Sequence, residues 1–156
     1  MRITLLVVGK TTYTHIDALI QEYQKRLTHY IPFTLQVIPE LKNTKALTPD
    51  QQKQAEGELI MRAITPNTDL VLLDEHGKEF RSVEFADYVQ KRMSSGRDVV
   101  FVVGGPYGFS EVIYQRANAK ISLSKMTFSH QMVRLFFVEQ LYRAMTILRG
   151  EPYHHE

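Results

Sequence analysis

Apolar residues gather into five short runs, separated by stretches in which apolar and polar positions alternate at helical spacing. "RITLLVV" near the start, "FTLQVI", "DLVLLD" and "DVVFVV" have the length and the Val/Ile/Leu content of strands. The last two are almost wholly apolar, as strands are when a parallel sheet buries both faces. "AKISLS" at 119–124 reads as a fifth strand. Between these runs, Ile16, Leu19, Ile20, Tyr23, Leu27 and Tyr30 share one helical face, which predicts a helix over 15–30. In "TPDQ", Thr48 is an N-cap, Pro49 lies in the first turn and Gln51 stands three residues after the cap, predicting a helix to about Ile64. Ser82 is expected to cap a helix carrying Phe85, Tyr88, Val89 and Met93, and Ser110 a shorter one. A long apolar helix follows from about Gln131 to Arg149, which Gly150 ends and Pro152 prevents from resuming.

Five strands alternating with five helices predict an α/β fold, a mainly parallel sheet flanked by helices with right-handed crossovers. No repeat, low-complexity tract or linker interrupts residues 1–156, so one domain is expected. In such sheets ligands bind beyond the carboxyl ends of the strands. That rule selects "LLDEHGKEF" after the third strand, "GGPYG" after the fourth and "SLSKMTFSHQ" at and after the fifth.

Composition narrows the chemistry. The 156 residues are 44% apolar and 23% charged, enough for a real core, and with no cysteine there is neither disulfide nor thiolate chemistry. No apolar run approaches the ~20 residues that span a bilayer, and "MRITLLVVGK" is too short for a signal sequence, so no membrane association and a cytoplasmic location are expected. Net charge is only +2, but it is unevenly placed. Nine basic residues balance nine acidic ones over 1–78, whereas from Val112 onward Arg116, Lys120, Lys125, Arg134, Arg143 and Arg149 face three carboxylates. A polyanion would dock on this C-terminal third, if the charges are not merely a solvated face.

Each candidate stretch admits a functional and a plain reading. The adjacent Gly104 and Gly105 permit positive φ or close approach by a ligand, and Pro106 stiffens the turn. Without the lysine and hydroxyl of a phosphate loop, the turn suits a nucleoside-like ligand better than a triphosphate, or it is simply tight. Asp74 at a strand end is placed to meet a ribose hydroxyl, a metal or a basic side chain, yet no partnered metal motif accompanies it. Met126 and Phe128 suit an adenine, or belong to the core. The terminal Tyr153, His154 and His155 are either a frayed end or an aromatic and imidazoles placed for a base and its proton.

The order "LLD", "HGK", "GRDV", "SLSKMTF", "LYRA" and "PYH" resembles the 23S rRNA pseudouridine N3-methyltransferases of the RlmH type, in the SPOUT superfamily. The likeness covers nearly the whole chain. It implies an S-adenosyl-L-methionine-dependent homodimer whose C-terminal half forms a trefoil knot, acting on 23S rRNA within the ribosome. It implies cofactor binding by Leu73, Gly105, Ser124, Lys125, Met126, Thr127, Phe128 and Ser129, and catalysis or RNA engagement by Arg143, Tyr153 and His154, with no metal. In this scheme His154 assists as the base, with solvent or another tail group as the rival proton acceptor, Arg143 stabilises negative charge on the uracil oxygens, and Arg134 joins the RNA contact. Ser129 departs from the family's usual proline, which predicts a less rigid loop. The competing classes are a non-catalytic ribosome-associated RNA-binding module with a vestigial nucleoside pocket, and a magnesium-dependent phosphohydrolase using Asp74.

Overall fold

The computed structural model describes residues 1–156. The chain runs β1 (Ile3–Val8), α1 (Thr14–Leu27), β2 (Phe33–Ile38), α2 (Pro49–Arg62), β3 (Asp69–Glu79), α3 (Ser82–Ser94), β4 (Val99–Val103), α4 (Glu111–Arg116), β5 (Ala119–Ser122) and α5 (His130–Leu148), with one 3₁₀ turn at Thr44–Ala46. The sheet order is β2-β1-β4-β3-β5 and every neighbouring pair is parallel.

Period-2 alternation along the strands divides the core into two layers. Leu5, Val7, Val71, Phe101, Val103 and Ile121 point to one face, where α1, α3 and α5 cover them. Leu6, Leu70, Leu72, Val100 and Val102 point to the other and meet Ile60 of α2, Ile113 of α4 and Phe109. Leu5, Leu70, Val71, Leu72 and Val102 are wholly excluded from solvent. Each such side chain contributes about 1.5–3 kcal/mol of burial.

Local differences from the sequence expectation have physical causes. The first helix stops at Leu27 and Tyr30 lies in the turn beyond it. Arg81, not Ser82, is the N-cap of α3; the Ser82 hydroxyl instead donates to Gln140 Oε1 of α5 at 3.0 Å. Ser110 occupies the N-cap position of α4 but makes no capping bond, being pressed against Gly57 of α2. Thr48 and Gln51 do form the reciprocal cap of α2, at 3.1 and 2.9 Å.

β3 runs on to Glu79 because residues 74–77 bulge out of it. Leu73 and Lys78 both pair with Ile121 of β5. Gly77 makes this possible, since a Cβ there would lie 2.7 Å from the Ile121 backbone. The bulge aims Asp74, Glu75 and His76 at the carboxyl edge of the sheet.

Arg134 corrects the charge reading. It is 2% exposed, and its guanidinium donates to the carbonyls of Val8 and Gly9 at 2.8 and 2.9 Å and to Thr11 Oγ1 at 3.1 Å. This side chain ties α5 to the end of β1 and is withdrawn from any RNA contact. Arg116 is similarly committed, to the carbonyls of Thr65 and Thr68.

Candidate active site

The three stretches selected by topology converge on one cleft of about 430 Å³, within the range of small-molecule sites. Leu73 to His76 form one wall, Val103 to Phe109 a second, and Ser122, Leu123, Ser124, Met126, Thr127 and Phe128 a third, with His130 and Val133 of α5 at the floor. Leu73, Gly105, Ser124, Met126, Thr127 and Phe128 are thus brought together. Lys125 and Ser129 are not among the lining residues. Lys125 is exposed, with Nζ 3.7 Å from Glu79 Oε1. Ser129 caps α5, accepting from the Met132 N–H at 3.1 Å, so the residue that replaces the expected proline fixes the helix start in its own way.

The glycine turn is built from within. Gly108 N–H donates to the Gly105 carbonyl at 3.1 Å, so Pro106 and Tyr107 are the central residues of a tight turn. Of its three glycines only Gly108 takes positive φ, at 81°. Gly105 is needed for space: a Cβ would overlap Glu56 Oε1 and fall 2.7 Å from Oε2. Gly105→Ala is expected to cost about 1–3 kcal/mol of stability. Gly104→Ala, whose Cβ meets the Phe109 ring at 3.1 Å, is expected to cost less. Urea denaturation of the two variants checks this order.

Several polar groups around the cleft are already partnered. Tyr114 donates its hydroxyl to Asp74 Oδ2, and burial together with that carboxylate pushes the phenol well above its ordinary range. The other oxygen of Asp74 accepts from His76 N–H at 2.8 Å, and Thr127 Oγ1 donates to Glu75 at 3.0 Å. No three His, Asp or Glu side chains stand close enough together to hold a metal ion.

The C-terminal tail is docked, not frayed. Gly150 takes φ 69°, and Glu151 N–H reaches back to the Thr146 carbonyl at 2.9 Å, closing α5 with a Schellman turn. Glu151 then accepts from the Tyr30 hydroxyl at 2.7 Å, which with burial raises that phenol to about 12. Tyr153 packs edge-on against Tyr142 at 4.8 Å and shares a 3.2 Å hydrogen bond with Tyr23. Burial, reinforced by that bond, moves the Tyr153 phenol upward.

Arg143 is the centre of this cluster. Its Nε and Nη2 donate to Glu139 Oε1 at 3.1 and 3.0 Å, and its guanidinium lies 4.7 Å from the centre of the Tyr153 ring. Nη1 is 3.2 Å from His154 Nδ1. Because a guanidinium can only donate, Nδ1 accepts and the neutral ring carries its proton on Nε2. That Nε2 is buried and makes no hydrogen bond. Sequence reasoning missed Glu139 and Tyr23. The Glu139/Arg143 spacing of four on one helix was a readable signal; the Tyr23–Tyr153 contact, between residues 130 positions apart, had none.

Cleft and tail do not meet within one chain. His130 at the cleft and Arg143 at the tail are thirteen residues apart on α5, about 20 Å of helix. Between them lies a second, larger cleft of about 560 Å³, mainly apolar, with Leu19, Leu135 and Phe136 on its walls and Tyr23 and Glu139 on its tail side. It shares Ser122, Leu123 and Phe128 with the first. Its apolar lining carries few groups able to orient a polar ligand, so size does not make it the reaction site.

A family model described as "Predicted SPOUT methyltransferase" matches residues 1–154. Curated proteins named ribosomal RNA large subunit methyltransferase H are similar over their full length. Those of Bacteroides thetaiotaomicron, Parabacteroides distasonis and Flavobacterium johnsoniae are 62%, 60% and 57% identical, with 100% of both chains covered in each case.

Proposed function

The chain belongs to the SPOUT methyltransferase family, and from that premise we propose that it methylates N3 of a pseudouridine in 23S, large-subunit rRNA. In this reading it acts in the cytoplasm on RNA within the ribosome, as a homodimer that uses S-adenosyl-L-methionine. The observation that carries the reading is the convergence of three separate loops on one cleft whose walls include a backbone stripped of Cβ atoms. The residues fit the cofactor: Leu73, Met126 and Phe128 offer apolar contact to an adenine, and the Gly104–Gly105 backbone and Ser124 offer polar groups beside it. When bound, S-adenosyl-L-methionine supplies an electrophilic methyl group on a sulfonium centre.

The protein's contribution is alignment and charge. Holding the N3 atom in line with the methyl carbon lowers the barrier by roughly 7–11 kcal/mol relative to free reactants. N3 must lose its proton before or during attack, and the charge then spreads onto the flanking carbonyl oxygens. Arg143, held by Glu139 and stacked on Tyr153, is placed to stabilise that charge. The contact with Arg143 occupies the lone pair of His154 Nδ1, and Nε2 is buried, so in this reading His154 holds Arg143 in position and the proton leaves to solvent. Of the proton acceptors weighed from sequence, this reading takes solvent over His154.

The homodimer reading rests on the 20 Å gap. A second copy that brings its tail to the first copy's cleft completes the site, and the apolar cleft between them, where Leu19 and Phe136 are 44% and 38% exposed, gives it a surface to cover. Light scattering at micromolar concentration is expected to give the mass of two chains; a monomer overturns this part of the proposal. The trefoil knot is likewise a reading from the family. It is supported by the chain path, in which β5 lies at the far edge beyond β3 and α5 then returns to the end of β1.

Mass spectrometry of rRNA fragments from cells lacking this protein is expected to show the loss of one methyl group, restored by the intact gene. Calorimetry with S-adenosyl-L-methionine separates the enzyme from a non-catalytic RNA-binding module, which would bind none.

A further inference from the structure

Glu56 of α2 stands behind the glycine turn, on the side away from the cleft. It is 4% exposed, its Oε1 makes no hydrogen bond, and Oε2 has only a long 3.3 Å bond from Gln52 Nε2 on the same helix. Its carboxyl fills the space that a Cβ on Gly105 would need, and the adjacent Gly57 fits against Ser110 at the far end of the turn. The turn is therefore clamped from behind at both ends by two consecutive residues of α2, while its front lines the cleft.

A buried carboxylate with one unshared oxygen and no cation is costly, whereas the neutral acid is not. The charged group that faces Glu56 is Glu40, on the segment after β2, and its repulsion adds to burial in holding the Glu56 carboxyl above its ordinary value. The buried Arg134 answers to Glu40, not to Glu56.

We propose that Glu56 is a positioning residue for the cofactor wall: its uncharged carboxyl, wedged behind Gly105, sets the backbone of residues 104–110, and its ionisation loosens that wall. This rests on the reading of the cleft as the S-adenosyl-L-methionine site. Because the acid is favoured in the folded turn, the support is complete at low pH and is lost as pH rises through the raised value.

The test compares the full-length protein with Glu56→Gln and Glu56→Ala in two measurements. One is amide hydrogen exchange of residues 104–110 without ligand, corrected for intrinsic rates; the other is calorimetric titration with S-adenosyl-L-methionine, both from about pH 4.5, near the ordinary value of a glutamate, to about pH 8.5. Wild-type affinity is expected to fall by about threefold or more across this range as exchange of the turn quickens. Glu56→Gln, neutral throughout and nearly the same shape, is expected to keep the low-pH behaviour at every pH. Glu56→Ala is expected to exchange faster at all pH values and to bind about tenfold more weakly. A Glu56→Gln variant that follows the wild-type pH dependence overturns the proposal, as does a Glu56→Ala variant with wild-type exchange and affinity. Wild-type protein that binds no cofactor overturns the reading of the cleft and Glu56's role toward it; exchange alone then decides whether Glu56 sets the turn.

Discussion

Arg143→Ala is expected to lower the rate of methyl transfer to rRNA by about 10²–10³-fold while leaving the affinity for S-adenosyl-L-methionine at the wild-type value. The two halves of that expectation come from different observations. The rate falls because Arg143 is the one cation in the tail cluster held from three sides, by Glu139, by the Tyr153 ring and by His154. In the proposed mechanism it is therefore pre-oriented for charge that appears only as the target nitrogen is deprotonated and attacked. Cofactor affinity is expected to hold because the groups that fit the cofactor are Leu73, Ser124, Met126, Phe128 and the Gly104–Gly105 backbone, whereas Arg143, even when a partner's tail completes the cleft, is assigned to the oxygens of the RNA base. Arg143→Lys keeps the charge but lacks the planar fork that bonds Glu139 through two nitrogens, so it is expected to recover only part of the rate. Single-turnover kinetics on rRNA, with calorimetry on the same preparations, check both halves. A variant that loses cofactor affinity in proportion to rate would place Arg143 at the cofactor instead.

The largest effect on stability is expected at Arg134. Arg134→Met, which keeps much of the side-chain volume, is expected to cost about 3–5 kcal/mol, a large share of the 5–15 kcal/mol by which a domain of this kind is stable. The cause is specific. The carbonyls of Val8 and Gly9 lose their charged donor at the end of a buried strand, and each unsatisfied group costs about 1–3 kcal/mol. The junction between α5 and the β1–α1 loop weakens at the same time, with the Gln131 contacts to the N–H groups of Thr12 and Tyr13 and to the Lys10 carbonyl still joining them. A urea midpoint far below wild type, with an unchanged slope, is the expected signature. A change within about 0.5 kcal/mol would show that water or a neighbour satisfies those carbonyls.

Residues 98–103 and 69–73 read as strands because a parallel sheet covered on both faces needs near-continuous apolar runs, and runs this short and rich in Val and Leu are too brief for a buried helix. The cap of α2 was legible because Thr48, Pro49 and Gln51 interact with their own backbone. The same logic failed at Ser82, whose hydroxyl goes to Gln140, and held only for position at Ser110, whose hydroxyl sits in the space beside Gly57 and makes no capping bond; both neighbours are distant in sequence. The cleft was legible as three loops, since the carboxyl edge of a parallel sheet gathers them. The bulge that carries Asp74 to His76 outward was not, because it depends on Gly77 meeting the backbone of Ile121.

Charge was the least legible quantity. Arg134 and Arg143 are alike as letters on one helix, nine residues apart, yet one is sealed against carbonyls and the other is only partly buried beside a histidine. Which face of α5 meets β1 and which meets the tail decides the difference.

By itself, then, the sequence determined the class of fold, the order of its elements and the three loops of the cleft, because these depend on local periodicity and on a topological rule. Tertiary structure decided which cation is structural, why Gly105 must lack a side chain, how the tail is docked and how far it lies from the cleft. Each of those depends on contacts between residues remote in the chain, whose energies come from burial and from exclusion of water.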